Sequence, residues 1–322
     1  MAQEVLSIVV PCFNEEAVLT AFYDTITKTA EQISDRVRCE LIFVDDGSSD
    51  GTLTLLRDFA RKDARVKYIS FSRNFGKEAG IYAGLKNTTG DYVVVMDADL
   101  QHPPEYIPEM LQNIQSGDYD SVAMRRLDRK GERRLRAWFS AQFYKMNRRI
   151  SGVDIPEGAT EYRMMTRKMC DAVLSLDEVN RFTKGIFTWV GFRTLWIPYH
   201  NVERPAGESK WSFWGLVKYS LNGIVAFSTV PLAIASILGA ICCVLSLLMV
   251  LFYVLKTLIV GDPVAGFPTL ITVILFLGGI QLLMIGILGQ YLSKMYMEVK
   301  HRPMYIAKEQ KLCDGDETPQ ER

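Results

Sequence analysis

Tyr92-Val93-Val94-Val95-Met96-Asp97-Ala98-Asp99-Leu100-Gln101 is the stretch on which the fold turns: five apolar or aromatic residues run straight into two carboxylates and an amide. A short unbroken apolar run bounded by turn-forming residues marks a strand buried on both faces, as in a parallel sheet covered by helices. Outward from it, residues 7–11, 40–44, 66–71 and 121–124 are further β-rich runs, separated by segments with helical period. Such alternation predicts an α/β layer with a mostly parallel sheet. Ligands of open parallel sheets bind beyond the carboxyl ends of the strands. Three strands here end in polar loops, at residues 11–16, 45–52 and 97–101.

The rest of the chain divides into two materials. Over 322 residues, 48% of them hydrophobic, 37 Lys+Arg and 37 Asp+Glu cancel to zero. That balance excludes a disordered tail protein, a disulfide scaffold and a collagen-like fibre. Charged residues then vanish from 223 to 255 and again from 263 to 293. Each stretch exceeds the roughly 20 residues a helix needs to cross about 30 Å of hydrocarbon. Residues 231–260 and 267–292 are therefore expected to be two membrane-spanning helices, joined by a polar turn with Lys256, Gly261, Asp262, Pro263 and Gly266. Lys218 precedes this hairpin and Lys294, Lys300, His301 and Arg302 follow it, so the positive-inside rule puts both termini in the cytoplasm. The first ten residues are too short, and Glu4 too acidic, for a signal peptide. Six cysteines without a CxxC pair read as reduced apolar fillers. The expected division is a soluble domain over 1–210, a juxtamembrane helix over 211–230, the hairpin over 231–293 and a cytoplasmic tail over 294–322, of which 307–322 is polar and expected to be disordered.

No GxGxxG follows the first strand and no GxxxxGK[ST] occurs, so neither a dinucleotide site nor a P-loop is supported. Asp97 and Asp99 at i and i+2, with Gln101, can instead offer oxygens to a hard divalent cation, which in turn binds a diphosphate. Residues 125–149 hold ten Lys+Arg against Asp128 and Glu132. With Leu135, Phe139, Phe143, Met146 and Ile150 at helical spacing, residues 125–150 suit a basic helix in the lipid interface, or a soluble helix packed on the sheet. Trp211, Phe213, Trp214 and Tyr219 form a second aromatic cluster suited to the headgroup layer. The patch is too local, and the chain too neutral, to suggest a nucleic acid partner.

These residues carry a resemblance. Val9-Val10-Pro11-Cys12-Phe13-Asn14-Glu15-Glu16, Val44-Asp45-Asp46-Gly47-Ser48-Ser49-Asp50-Gly51-Thr52, Arg73-Asn74-Phe75-Gly76-Lys77 and Asp97-Ala98-Asp99-Leu100-Gln101-His102-Pro103-Pro104-Glu105 are similar to the successive motifs of family 2 glycosyltransferases. Within that family they resemble most the polyprenyl-phosphate glycosyltransferases, the bactoprenol glucosyltransferase and dolichol-phosphate mannose synthase group. Arg181-Phe182-Thr183-Lys184-Gly185, residues 204–212 and residues 227–232 extend the likeness over nearly the whole chain. It implies a Rossmann-like nucleotide-diphospho-sugar transferase domain (GT-A) and a metal-dependent, inverting transfer. The sugar would be a hexose, glucose favoured, moved from a UDP-sugar to undecaprenyl phosphate on the cytoplasmic leaflet of the inner membrane.

By resemblance, Pro11 and Glu15 line the nucleotide pocket, Asp46 meets the uracil and Lys77 lies near the base. Asp97 and Ala98 belong to the same pocket, and Asp97, Asp99 and Gln101 hold Mg²⁺ or Mn²⁺. Asp99, Glu161, Arg126 and Arg129 are the expected catalytic residues. Arg126, Arg129, Arg181, Arg204 and Lys210 are the expected grip on the lipid phosphate. Asp50 reads as a helix cap. The chain departs from the family at Thr160-Glu161-Tyr162-Arg163, where the family has Gly-Asp before an aromatic residue and Arg. Glu161 can still offer a carboxylate, either as base or to orient groups, because a phosphate monoester with a second pKa near 6 is largely deprotonated at neutral pH. Its alternative is an ion pair with an Arg. Rival readings are transfer of N-acetylglucosamine or another sugar, a processive polysaccharide synthase, whose QxxRW motif is absent here, and a non-catalytic membrane nucleotide-sugar sensor. A homo-oligomer is a further expectation of the resemblance.

Overall fold

The structure is a computed structural model, and it describes residues 3–127, 156, 158–199, 230–260 and 266–312. The chain forms two compact units, residues 1–218 with 302–322 and residues 219–301. The first unit is built on one eight-stranded sheet of order β7-β5-β6-β4-β1-β2-β3-β8. Its strands are β1 (Glu4–Cys12), β2 (Val37–Asp45), β3 (Val66–Phe71), β4 (Tyr92–Val95), β5 (Ser121–Arg126), β6 (Ala159–Thr166), β7 (Thr194–Tyr199) and β8 (Ala307–Lys311). Its helices are α1 (Glu16–Gln32), α2 (Thr52–Lys62), α3 (Lys77–Lys86), α4 (Ile107–Gln115), α5 (Arg167–Leu174) and α6 (Thr183–Trp189). All five expected strands are present. β4, β1, β2 and β3 are parallel neighbours, and their inward residues, among them Leu6, Ile8, Leu41, Phe43 and Val94, are fully buried.

The sheet is more mixed than expected. β6 runs antiparallel to both β4 and β5, and β8 antiparallel to β3. The apolar period of β6 is interrupted by Glu161 and Arg163, both buried, which hides the strand from a hydropathy reading. β8 corrects the disordered tail. Residues 307–311 are polar, yet they complete the otherwise open edge of β3, and Arg57 grips Glu309 with two hydrogen bonds of 2.8 and 2.5 Å. Tyr305 stacks on Phe71 just before the strand. Backbone pairing and one bidentate ion pair hold this segment, so its side chains need not be apolar.

The topology fixes where a ligand can sit. From β1 the chain steps through β2 and β3 to one side, then returns by α3 to place β4 on the other side of β1. β1 and β4 pair only as far as Val9 and Val95, whereas β1 and β2 stay paired to Cys12 and Asp45. Pro11, which has no N–H, lies just past the last β1–β4 pair. The crevice opens there, at the switch in strand order where open α/β sheets bind ligands. Close packing of α3 on the sheet depends on Gly84, since a Cβ there would lie 2.2 Å from Val9 Cγ1.

The second unit holds α7 (Val230–Val260) and α8 (Phe267–Val299). At 1.5 Å per residue these helices of 31 and 33 residues are about 45–50 Å long. α8 runs seven residues past its expected end at 292, because Ser293, Lys294 and Glu298 are compatible with helix although not with hydrocarbon. α7 and α8 meet at Gly239, where a Cβ would stand 2.8 Å from Met284 Cε. Phe252, Ile259, Phe276, Leu282 and Ile285 are exposed on their surfaces. Among the described residues one stretch, Phe276–Val299, is long and apolar enough by itself to cross a membrane.

Candidate active site

Three loops converge at the carboxyl end of β1, β2 and β4, and each contains a residue in the left-handed region: Asn14 (φ 54°), Gly47 (φ 67°) and Leu100 (φ 59°). The first two loops are knitted together. Asn14 N donates to Ser48 Oγ at 2.9 Å, Asn14 Oδ1 accepts from Ser49 N at 2.8 Å, and Glu15 N donates to Thr52 Oγ1 at 2.9 Å. Asp50, expected as a helix cap, stands one residue before the N-cap Gly51 of α2; its Oδ1 accepts from Thr52 N at 3.0 Å, and its second oxygen accepts from Glu16 N at the start of α1. Gly47 is required twice over. Its φ suits glycine, and a Cβ would lie 2.5 Å from the carbonyl carbon of Arg73.

Asp46 is buried, and its carboxylate accepts from Phe75 N at 2.6 Å and Gly76 N at 2.9 Å. Burial pushes its pKa up against these two bonds. It thus anchors the loop that delivers Lys77, the first residue of α3. Lys77 lies in the cluster of Asp97 and Glu161. Its Nζ contacts Asp97 Oδ1 at 2.7 Å and Oδ2 at 2.9 Å, and forms a very short ion pair with Glu161 Oε2. Register explains the meeting: Val95 pairs with Arg163, so two residues further along each antiparallel strand Asp97 faces Glu161.

Glu161, read alternatively as a partner for Arg, is paired with lysines. Besides Lys77, Lys184 Nζ lies 3.8 Å from its other oxygen, Oε1. Burial alone would raise the Glu161 carboxyl, but Lys77 and then Lys184 hold it below the usual carboxylate range. Burial likewise opposes ionisation of Asp97, yet Lys77 brings its pKa down to about 2. Both carboxylates are ionised at neutral pH. His102 accepts from Asp97 N through Nδ1 at 3.0 Å and stacks on Tyr162 with ring centroids 5.1 Å apart. Burial lowers its pKa, so it is neutral, with its proton on Nε2.

Asp99 is buried, and its Oδ1 accepts from Gln101 N at 3.1 Å. Leu100 between them holds a conformation that costs a non-glycine residue of order 1 kcal/mol or more, a cost commonly found where side chains must be aimed. The two carboxyl groups and the amide oxygen of Asp97, Asp99 and Gln101 are the donor types a hard divalent cation takes beside waters and phosphate oxygens. Among the described residues no three His, Cys, Asp or Glu side chains gather as a metal cluster, and both oxygens of Asp97 face Lys77.

Arg126 closes β5, and near it burial pushes the Tyr199 hydroxyl up to about 12 while Arg126 works in the opposite direction. Arg181 is a correction. It is only 8% exposed, and its guanidinium donates to Leu176 O, very closely, and to Val173 O at 3.1 Å, over the ring of Tyr82. It fastens the turn between α5 and α6. Arg129, Arg204, Lys210, the basic stretch from 128 and the aromatic cluster at 211–219 lie outside the described residues. Three groups had no assignment from sequence: Lys184, His102 and Glu78, whose carboxylate accepts from Thr183 N at 2.9 Å and from the Thr183 hydroxyl. All three stand beside residues already picked from motifs, and nothing in their spacing tells which side chain turns inward.

The family model for glycosyl transferase family 2 matches residues 7–174, more than half of the chain. The bactoprenol glucosyl transferase of Shigella phage SfV is 41% identical over 306 residues, covering 95% of this chain and 99% of that protein. The SfII prophage-derived bactoprenol glucosyl transferase of Shigella flexneri is 41% identical over 94% of this chain and 97% of its own length. The prophage bactoprenol glucosyl transferase homolog of Escherichia coli K12 is 40% identical over 94% of this chain and 98% of its own. The chain belongs to the family 2 glycosyltransferases, and the mixed sheet with its strand-end crevice is the GT-A domain of that family. It is an enzyme of the polyprenyl-phosphate glycosyltransferase group.

Proposed function

We propose that the chain transfers a hexose, glucose in the first place, from a UDP-sugar to the phosphate of undecaprenyl or a related polyprenol at the cytoplasmic face of the membrane. The observation that carries this reading is the Asp97–Lys77–Glu161–Lys184 cluster where the carboxyl end of β4 faces β6. It is joined by 40% identity, end to end, to proteins named for glucosyl transfer to bactoprenol. The nucleotide lies against Pro11, Glu15, Asp46 and Ala98. Asp97, Asp99 and Gln101 would hold Mg²⁺ or Mn²⁺, whose positive charge would offset the negative charge building up on the departing diphosphate.

The remaining chemistry falls to the chain's own groups. An oxygen of the lipid phosphate forms the new bond to C1 of the sugar as the C1–O bond to UDP breaks, the electron pair leaves with UDP, and the anomeric centre inverts. Any proton left on the acceptor phosphate passes to Glu161. Lys77 keeps that carboxylate ionised and in place. Arg126, and by resemblance Arg129, Arg204 and Lys210, supply cations for the lipid phosphate.

The second unit is the anchor. α7 and α8 span the bilayer as a hairpin, with both termini cytoplasmic. This topology is supported by the return of the chain after α8 into the same sheet that precedes α7, which requires an even number of crossings. The test is incubation of the purified full chain with radiolabelled UDP-glucose, undecaprenyl phosphate and Mg²⁺ or Mn²⁺. A labelled glycolipid that needs lipid phosphate and disappears with EDTA is expected. Absence of any glycolipid with several UDP-sugars refutes the proposal.

A further inference from the structure

We infer that His102 is a positioning residue that aims Asp97 at the nucleotide and its metal, by accepting the Asp97 N–H on its Nδ1. The inference rests on the donor-site reading above and gives a role to a side chain which that reading leaves unused. The need for it arises at the end of β4. Met96 N donates to Val9 O of β1 at 3.1 Å, so by strand alternation the Asp97 N–H points to the β6 side. There the pairing of β4 with β6 ends at Val95 and Arg163, and the ladder no longer supplies an acceptor. His102 Nδ1 takes that place at 3.0 Å. An N–H left without an acceptor beside a buried carboxylate would be costly and would let the peptide turn.

The imidazole is held in turn by β6. Its ring stacks on Tyr162 with 5.1 Å between centroids and 18° between planes, and Tyr162, fully buried, donates its hydroxyl to Pro103 O at 2.8 Å. Residues 102 and 103 are thereby fastened to the strand. The turn between them and Asp97 is closed on itself: Asp99 Oδ1 accepts from Gln101 N, and Leu100 keeps its left-handed φ of 59° inside the ring of bonds. Closure from residue 97 to residue 102 helps to offset the strain at Leu100. Nδ1 stands 3.8 Å from Asp97 Oδ2, too far for a hydrogen bond, so the ring fixes the Asp97 backbone without occupying its carboxylate. Consecutive residues of β6 thus serve the same aspartate. Glu161 shares Lys77 with its carboxylate, and Tyr162 seats the imidazole that holds its N–H.

The experiment compares the full-length enzyme in detergent with His102→Phe, His102→Asn and His102→Gln. The first keeps the stack on Tyr162 and loses the acceptor. The second can present an amide oxygen where Nδ1 stood, and the third reaches only toward the position of Nε2. Binding of Mn²⁺ in the presence of UDP is read, without turnover, from the loss of the free-ion electron paramagnetic resonance signal. His102→Phe and His102→Gln should weaken it about tenfold or more, the range lost when the support of a metal-binding residue is removed, and His102→Asn should stay within about threefold of wild type. Hydrogen exchange of the ligand-free segment 97–101 should quicken in the first and third variants and not in His102→Asn. In turnover, the Mn²⁺ concentration for half-maximal rate should rise with the binding constant, while KM for undecaprenyl phosphate changes less than about twofold. Unchanged Mn²⁺ binding in a folded His102→Phe overturns the inference. So does equal weakening in all three variants, which would make the shape of the ring, and not its acceptor, the cause. If His102→Phe does not fold, the contrast between His102→Asn and His102→Gln decides, and equal affinities overturn the inference. If the wild type binds neither UDP nor Mn²⁺, the donor-site reading fails and the inference falls with it.

Discussion

Removing the amine of Lys77 tests whether the crevice is held by charge. The Asp97 carboxyl lies at about 2 instead of its ordinary 3.8, with Lys77 the leading cause against a burial that works the other way. At 1.36 kcal/mol per pKa unit the difference is worth about 2.5 kcal/mol. The side chain of Lys77 is 40% exposed and that of Asp97 25%, so solvent screening reduces this to about 1–1.5 kcal/mol. A double-mutant cycle of Lys77→Met, Asp97→Asn and the pair, read by thermal unfolding of the full chain in detergent, should return a coupling of about that size. Each single variant should lower the midpoint by roughly 2–6 °C, at 2–4 °C per kcal/mol for a domain of this size. The sign with pH follows from a lowered folded-state pKa. Stability from the pair is fully present above pH 3.8 and is lost as pH falls through about 2. Additivity of the two substitutions within about 0.3 kcal/mol at pH 7 would refute the coupling and, with it, the view that Lys77 organises the site.

Three further outcomes follow from particular contacts. Gly47→Ala forces a Cβ against Arg73 at a φ of 67°, and should cost about 2–4 kcal/mol in unfolding assays and weaken UDP binding by calorimetry, because the same loop carries Asp46. Glu309→Ala strips Arg57 of its bidentate partner on the sheet edge; a loss of about 1–2 kcal/mol with unchanged KM values is expected, and a lost activity at full stability would contradict a purely structural role for β8. Arg163 is buried with its guanidinium over the rings of Phe187 and Trp196, its Nε and Nη1 have no hydrogen-bond partner among the described residues, and burial pulls its pKa down to about 9. A folded state that disfavours the charged form is penalised at neutral pH, so Arg163→Met should raise the unfolding midpoint at pH 7, by about 1–3 kcal/mol in stability. A lower midpoint would mean that the two rings outweigh the desolvation.

The legible part of this chain was the part written in local signals. β1 to β5 announced themselves as apolar runs, three of them ending in polar loops, and the expected helices 231–260 and 267–292 match α7 and α8 to within a residue at three of their four ends. β6 was hidden because it carries Glu161 and Arg163 on one face, charges that are tolerated only because α3 and α6 bring Lys77, Lys184 and aromatic rings over them. β8 was hidden because an edge strand can be held by its backbone and one ion pair. The site showed the same split. Asp46, Asp97 and Asp99 stood out by position at strand ends, whereas the burial of Arg181 against carbonyl oxygens and the approach of Lys184 to Glu161 depend on which way a short helix faces, a tertiary fact without a sequence period.

Charge counting across the crevice gives the last constraint. By formal charge Asp97, Asp99 and Glu161 are opposed by Lys77 and Lys184, which leaves the cluster with one negative charge in excess. Under the proposed reaction a divalent cation and a donor diphosphate nearly cancel each other, so nucleotide-sugar binding leaves that balance where it was. The acceptor phosphate does not: it brings up to two further negative charges to a site that already carries one. In a crevice of low effective dielectric, unlike charges must be supplied within a few ångströms or the acceptor will not stay. Arg126 at the end of β5 adds one cation, and one cation against three negative charges falls short. The cationic excess of residues 125–149 is what this shortfall calls for. On that reasoning, charge-neutralising substitutions in the basic stretch should raise KM for the lipid phosphate steeply at low ionic strength and leave KM for the UDP-sugar nearly constant; an equal effect on both substrates would show that the stretch serves the fold and not the acceptor.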